Sequence, residues 1–297
     1  MLSEDKRLRN QVFIEGFTKN DLGLRGERFG FEFSGTTIVT VMVQGNKLVT
    51  ANAGDSRAVV GSLRDFNYVI KDKNIESKAL SVEENDRIWV AKQITRDHKP
   101  DDEDEKERIL KHNGRIESYK GRHGENVGPA RVWLKTEQFP GLAMSRSIGD
   151  ACAHSVGVSH IPEMKQFTID EDDKFLILAS DGVWEFLSND EVLDLVVPYW
   201  HQNDLKGACN VVVKESVAAW EREEDSIDDI TVIVVFFKRA YGPREEQSIV
   251  FNERNNEESA FKHNKVAQYV QQKNRQTRSR DNSHPPQPGD SPNVNKK

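Results

Sequence analysis

The eleven residues FLILASDGVWE, positions 175–185, set an ionisable acid directly after an unbroken apolar run and in front of a glycine. A short apolar run bounded by a turn signal reads as a buried strand. Asp181-Gly182 behind it is the strongest short hairpin signal a sequence offers, and these residues taken alone favour that turn. The competing reading is a carboxylate carried out of a strand end into a cleft. Other positions have to decide between them.

Two further places repeat the pattern. Asp55 stands in NAGDSRAVV immediately after an apolar strand, and Asp228 and Asp229 stand directly before ITVIVVFF. Each has a plain explanation by itself: a turn residue, a hairpin, a cap before a strand. Together they are carboxylates without a His or Cys among them. Such a set suits hard divalent cations, magnesium or manganese, which prefer oxygen donors and retain several waters.

Around these acids strands and helices mix. Residues 36–43 (TTIVTVMV) and 47–53 (KLVTANA), joined by Gln-Gly-Asn, predict a β-hairpin rich in β-branched residues. Further strands are expected at 56–60, 175–179 and 230–237. Helical spacing runs through 189–220, where Glu191, Val192, Leu195 and Val196 are followed by Ala208, Val212, Val213 and Val217. Residues 5–22 also read as a helix, with Leu8, Val12, Ile14 and Phe17 apolar. Residues 102–111 (DEDEKERILK) place acids at the start and bases at the end, as a helix dipole favours. The sum is a set of helix-flanked sheets.

Composition bounds the rest. The chain has 297 residues, 36% hydrophobic and 31% charged, enough for one large domain or two small ones. Its longest apolar runs are too short to span a bilayer, so no membrane insertion is expected. A net charge of -7 argues against general nucleic-acid binding, which needs clustered positive charge. The two cysteines, Cys152 and Cys209, make neither a disulfide framework nor a zinc-type CxxC pair, and read as thiols in a reducing intracellular compartment, cytoplasm or nucleus. Residues 240–297 hold half of the 10 prolines and few apolar side chains, and are expected to form a disordered tail with a short helix at 260–272. The folded domain is accordingly placed at 1–239.

Seven segments, in order, resemble the metal-dependent protein serine/threonine phosphatases of the PPM, or protein phosphatase 2C, type: SGTTIVTVMV; LVTANAGDSRAVV; ITRDHKPDDEDEKERILKHNGRI; GPARVWLKTEQFPGLAMSRSIGD; GVSHIPEMKQFTI; FLILASDGVWEFLSNDEVLDLV; and DDITVIVV. The resemblance implies an α+β fold, a four-layer αββα sandwich of two antiparallel sheets with metals at one end. It implies hydrolysis of phosphoserine and phosphothreonine in phosphoprotein substrates by water activated at two Mg2+ or Mn2+ ions, with a weaker third. Asp181 and Asp228 resemble two carboxylates of the ion pair, and Asp55 an acid near the third. Glu185 falls where the family often has Asp, and Asp229 where Asn is usual. His98 and Arg57 read as structural hydrogen-bonding residues, and residues 141–150 and 154–162 resemble the segment beside the substrate flap.

Two departures go with the resemblance. Family members carry an arginine that receives the phosphate and a strand ending in a segment like DGHGG, whose Asp bridges the metals and whose His acts as general acid. Neither is found here, so no catalytic residue is assigned. The first strands of both sheets are expected to be missing, and the chain as given to be impaired. The text Gly121-Arg122-His123-Gly124 lies in a polar stretch with no strand expected before it. Residues 62–90 exceed the usual turn and read as a solvated surface insertion. A noncatalytic phosphatase-like binding protein is the alternative function.

Overall fold

The computed structural model describes residues 4–24, 30–65, 82–83 and 87–238, all within one compact unit. The elements are α1 (Glu4–Leu24), β1 (Gly35–Thr36), β2 (Ile38–Gln44), β3 (Lys47–Ala53), β4 (Arg57–Asp65), β5 (Val82–Glu83), β6 (Arg87–Gln93), α2 (Glu103–Lys111), β7 (Arg115–Lys120) and β8 (Asn126–Trp133). They continue with β9 (Pro140–Leu142), β10 (Ile148–Gly149), α3 (Ala151–His154), β11 (Glu163–Thr168), β12 (Asp173–Ala179), α4 (Asp181–Trp184), α5 (Asn189–His201), α6 (Leu205–Glu223) and β13 (Val232–Phe236). The expected tail and the helix at 260–272 lie outside the described residues.

Alternation along the strands builds the layers. In β3, Ala51 and Ala53 turn toward Phe13 and Phe17 of α1, while Leu48 turns the other way, among Ala58, Val60 and Leu176. In β12, Leu176 and Leu178 join Leu48, whereas Phe175, Ile177 and Ala179 meet Val192, Leu193 and Val196 of α5 and Val212 of α6. A period of two therefore gives each sheet one face toward the other sheet and one toward helices. The three-stranded sheet has the order β11-β3-β2 and the five-stranded sheet β13-β12-β4-β6-β5, all antiparallel. The order of layers is α1, three-stranded sheet, five-stranded sheet, then α5 and α6, the αββα sandwich that the family resemblance implies. A smaller sheet, β7-β8-β9, packs with α2 and α3 around Ile109, Val132 and Ala153.

Among the described residues the end strands of both main sheets, β11 and β2 in one and β13 and β5 in the other, each pair on one side only. Ile233 and Val235, opposite Leu178 and Leu176 and so on the inner face, are 54% and 38% exposed. Val43, opposite Leu48 on the inner face of β2, is 54% exposed.

Three readings are corrected and one, the helical run, is refined. Residues 62–90 are not wholly a surface insertion: Ser62 and Leu63 continue β4, and Ile88, Trp89 and Val90 pair with it in β6. Trp89 is fully buried against Phe175 and Trp200, because it pairs with Leu63 of β4 and so falls on the helix-covered face, while Ile88 and Val90 alternate to the other. The helical run 189–220 is two helices, broken where Asn203 takes a left-handed φ of 53° and Asp204 caps the next helix by accepting from Gly207 N. The Gly121-to-Gly124 stretch does follow a strand, β7, and is the turn leading to β8. Finally, Asp181-Gly182 is not a hairpin turn. β12 and β13 are neighbours, but α4, α5 and α6 intervene in the chain, and Asp181 opens the helical turn α4.

Candidate functional site

Asp55 lies in the turn between β3 and β4 and is 2% exposed. Gly54 before it has a φ of +114°, and a Cβ there would meet the Thr37 side chain at 2.3 Å, so only glycine makes this bend. His98 is fully buried beneath the turn, its Nδ1 3.0 Å from Gly54 O and 3.2 Å from Gly54 N. Lys99 Nζ, one residue on, donates to Asp55 Oδ2 at 2.6 Å. Burial alone would lower the lysine pKa, but the Asp55 carboxylate outweighs it and raises the value.

Asp181 opens α4 at the end of β12. A Cβ on Gly182 would come within 2.4 Å of Asp229 O, so the glycine lets the 228–231 segment lie against this turn. Ser180 ties the two together: its N donates to Thr231 O at 3.1 Å, and its Oγ donates to Asp229 O and accepts from Thr231 N. Trp220 Nε1 donates to Gly182 O at 2.8 Å from α6. Asp228 stands on this segment, its Oδ1 accepting from Asp229 N. Arg57 braces the outer side, with Nε and Nη2 on Asp97, Nη1 on Asn189, and its guanidinium 5.1 Å from the Trp184 ring.

These elements bring the three acids within range of one another's charge. The Asp181 pKa is pushed up to about 6, first by burial, then by the negative charges of Asp55 and Asp228, with Lys99 opposing. The donor set is all oxygen and short of positive charge, which fits a hard divalent cation. Glu185 contributes to the field on Lys99.

A second cluster was missed in the sequence. Among the described residues, Asp21, His154 and His160 form the set of His, Cys, Asp and Glu side chains whose donor atoms all lie within 4.8 Å. Asp21 comes from α1, His154 ends α3, and His160 precedes β11. Neither sequence spacing nor periodicity links them, and the separation of 21 from 154 hides the contact. The two histidines six apart in residues 154–162 are the only local sign.

A third group is structural. Glu105 of α2 is fully buried and receives hydrogen bonds from Arg146, Arg108, Ser145 and Arg96. Burial would raise its pKa, but the bonds from Arg146, Arg108 and Ser145 hold it well below the usual carboxylate range.

The αββα fold and an acid cluster at strand ends define the class, and comparison with known proteins gives the family. The family model described as protein phosphatase 2C matches residues 2–224. "Probable protein phosphatase 2C 72" of Arabidopsis thaliana is 38% identical over 226 residues, which cover 75% of this chain and 60% of that protein. "Probable protein phosphatase 2C 34" of the same plant is 36% identical over 206 residues, covering 69% of this chain and 50% of that one. The chain thus spans half to three fifths of the length of these relatives. In fold it is similar to a serine-threonine phosphatase 2C from Toxoplasma gondii, with a TM-score of 0.62 at 21% identity, covering 78% of this chain and 68% of that one. The chain belongs to the protein phosphatase 2C family.

Proposed function

We propose that this chain carries part of the metal-holding centre of a protein serine/threonine phosphatase, with Asp181 and Asp228 as ligands of the Mg2+ or Mn2+ pair and Asp55 beside a weaker third ion. The observation that carries the reading is the joining of the Asp181 turn to the Asp228 segment through Ser180 and Thr231, which sets these acids and Asp55 within range of one another's charge, a repulsion that raises the Asp181 pKa. Carboxylates that repel one another at strand ends are costly without a cation and useful with one. When bound, such ions supply a water acidified toward neutral pH and positive charge for the phosphoryl oxygens.

The chain's own residues hold this arrangement. Ser180 fixes the two ligand-bearing segments against each other, and Trp220 of α6 holds the α4 turn at Gly182. Lys99 balances Asp55, and Arg57 fixes the α4 turn through Asp97, Asn189 and Trp184. Residues 141–150 and 154–162 flank the approach of a phosphoserine or phosphothreonine segment. No Asp-Gly-His segment occurs in the 297 residues, so turnover by this chain alone is expected to be weak.

The test is calorimetric titration of the chain with Mn2+, alongside hydrolysis of a phosphothreonine peptide. Asp181→Ala and Asp228→Ala should each lose Mn2+ affinity and any Mn2+-dependent turnover. Unchanged Mn2+ affinity in both variants would overturn the assignment. Phosphopeptide binding without any Mn2+ affinity would instead favour the binding-protein alternative.

A further inference from the structure

Asp21, His154 and His160 share no residue with the acids discussed above. Asp21 is 3% exposed as a side chain, His154 10% and His160 22%. Their mutual distances do not describe hydrogen bonds. His154 Nδ1 is 3.7 Å from Asp21 Oδ1, and His160 Nδ1 is 3.5 Å from Asp21 Oδ2, beyond the ~2.7–3.2 Å at which N–H···O bonds form. Two ligand atoms on one tetrahedral ion, each ~2.1 Å from it, stand about 3.4 Å apart.

The protonation pattern points the same way. His154 Nε2 lies 3.1 Å from the Ser147 carbonyl oxygen. A carbonyl can only accept, so Nε2 carries the proton, and in the neutral ring Nδ1 presents a lone pair toward Asp21. A lone pair facing a carboxylate oxygen is repulsive unless a cation lies between. A proton on Nδ1 would draw the ring to hydrogen-bonding distance of Asp21, and the 3.7 Å separation from Oδ1 is longer than that. The rest of the surround is acidic, since Asp150 is 8% exposed and close enough for its charge to act on both Asp21 and His154.

We infer that Asp21, His154 and His160 form a binding site for a divalent transition ion of the zinc type, with two imidazole nitrogens, one carboxylate oxygen and a fourth position for water. The mixed nitrogen and oxygen set selects zinc over magnesium, which prefers oxygen alone. Both outer supports of a metal site are present. The Ser147 carbonyl fixes the His154 ring, and Gly149 N donates to Asp21 Oδ1 at 2.9 Å, fixing the carboxylate. An ion there ties α1 to the end of α3 and to the segment leading into β11, adding to the Gly149 N–Asp21 and Ser147 N–Ser159 O hydrogen bonds that already link these pieces of chain. It stabilises the fold by binding the native state alone.

The experiment uses the 297-residue chain stripped of metal, with excess Mg2+ present to occupy oxygen-only sites. Titration with Co2+ followed by visible absorption, and with Zn2+ by calorimetry, should show one tight equivalent per chain. X-ray absorption at the zinc edge should show scattering from two imidazoles. His160→Ala, at the rim, should weaken Zn2+ binding at least tenfold and abolish the rise in Tm that Zn2+ gives the unaltered chain. Asp181→Asn should leave both unchanged, which separates this site from the phosphatase reading. Zinc-edge spectra without imidazole, equal Zn2+ affinity in His160→Ala, or loss of binding in Asp181→Asn would each overturn the inference. The spectrum of the unaltered chain decides even if a variant fails to fold.

Discussion

Lys99 Nζ donates to Asp55 Oδ2 at 2.6 Å, and it is the cation that opposes the shared negative charge acting on Asp181. Replacing it with an uncharged side chain of similar length leaves three acids unbalanced. Lys99→Met should lower the metal-free Tm by about 2–4 °C, the change expected for ~1 kcal/mol in a domain of this size. Saturating Mn2+ should restore it. Differential scanning fluorimetry in EDTA and in Mn2+ reads both, and an equal deficit in the two conditions would show that Lys99 acts through packing.

The raised Asp181 pKa fixes the sign of a pH effect. Below the unfolded value of 3.8 the group is protonated in both states and contributes nothing. As pH rises toward about 6 the unfolded state releases its proton first, so ionisation costs the native state, and the full cost is present above that value. Asp181→Asn removes this penalty. In EDTA, the Tm of Asp181→Asn relative to the unaltered chain should be higher at pH 7 than at pH 4.5. A flat difference across that range would exclude a perturbed Asp181.

The strands that hold these acids were legible because their side chains alternate or run apolar. Residues 47–53 were read with the boundaries β3 has, and Phe175 to Ala179 fell inside β12. The part of β6 that was missed, Ile88-Trp89-Val90, is three apolar residues among Arg87, Lys92 and a polar stretch, too short a signal to outweigh its surroundings. The helix break at Asn203 was hidden because apolar spacing resumes in phase after it. Glu105 read as one more acid of a solvated helix start, and only the approach of Arg146 and Ser145, forty residues on, makes it a core residue. The roles of Asp55, Asp181 and Asp228 came from resemblance, since spacing along the chain cannot bring three strand ends together. The Asp21, His154 and His160 cluster had no such aid.

Trp89 offers a direct check of the corrected strand. It is fully buried, with Phe175 and Trp200 rings 5.6 and 5.3 Å away. Trp89→Ala should destabilise by about 3–5 kcal/mol, the range for large aromatic truncations in cores. Ile233→Ala, at a half-exposed inner-face position, should cost far less. Urea unfolding followed by circular dichroism compares them, and similar midpoints would place Trp89 outside the core.

Glu105 tests the opposite electrostatic sign from Asp181. Its carboxylate is stabilised by Arg146 and Arg108, so the contribution is present above the unfolded pKa of 4.5 and is lost as pH falls through the lower folded value. Glu105→Gln keeps the shape but removes the charge from a buried position faced by arginines. Breaking such a pair from one side costs about 3–5 kcal/mol. The deficit should be largest at neutral pH and shrink toward pH 3, because below about 4.5 the unfolded chain takes up a proton at Glu105 while the folded carboxylate stays ionised. Urea midpoints measured at pH 7 and pH 3 give the comparison. A deficit that grew with acidity would mean that Glu105 is held by packing, and that the arginines find other partners.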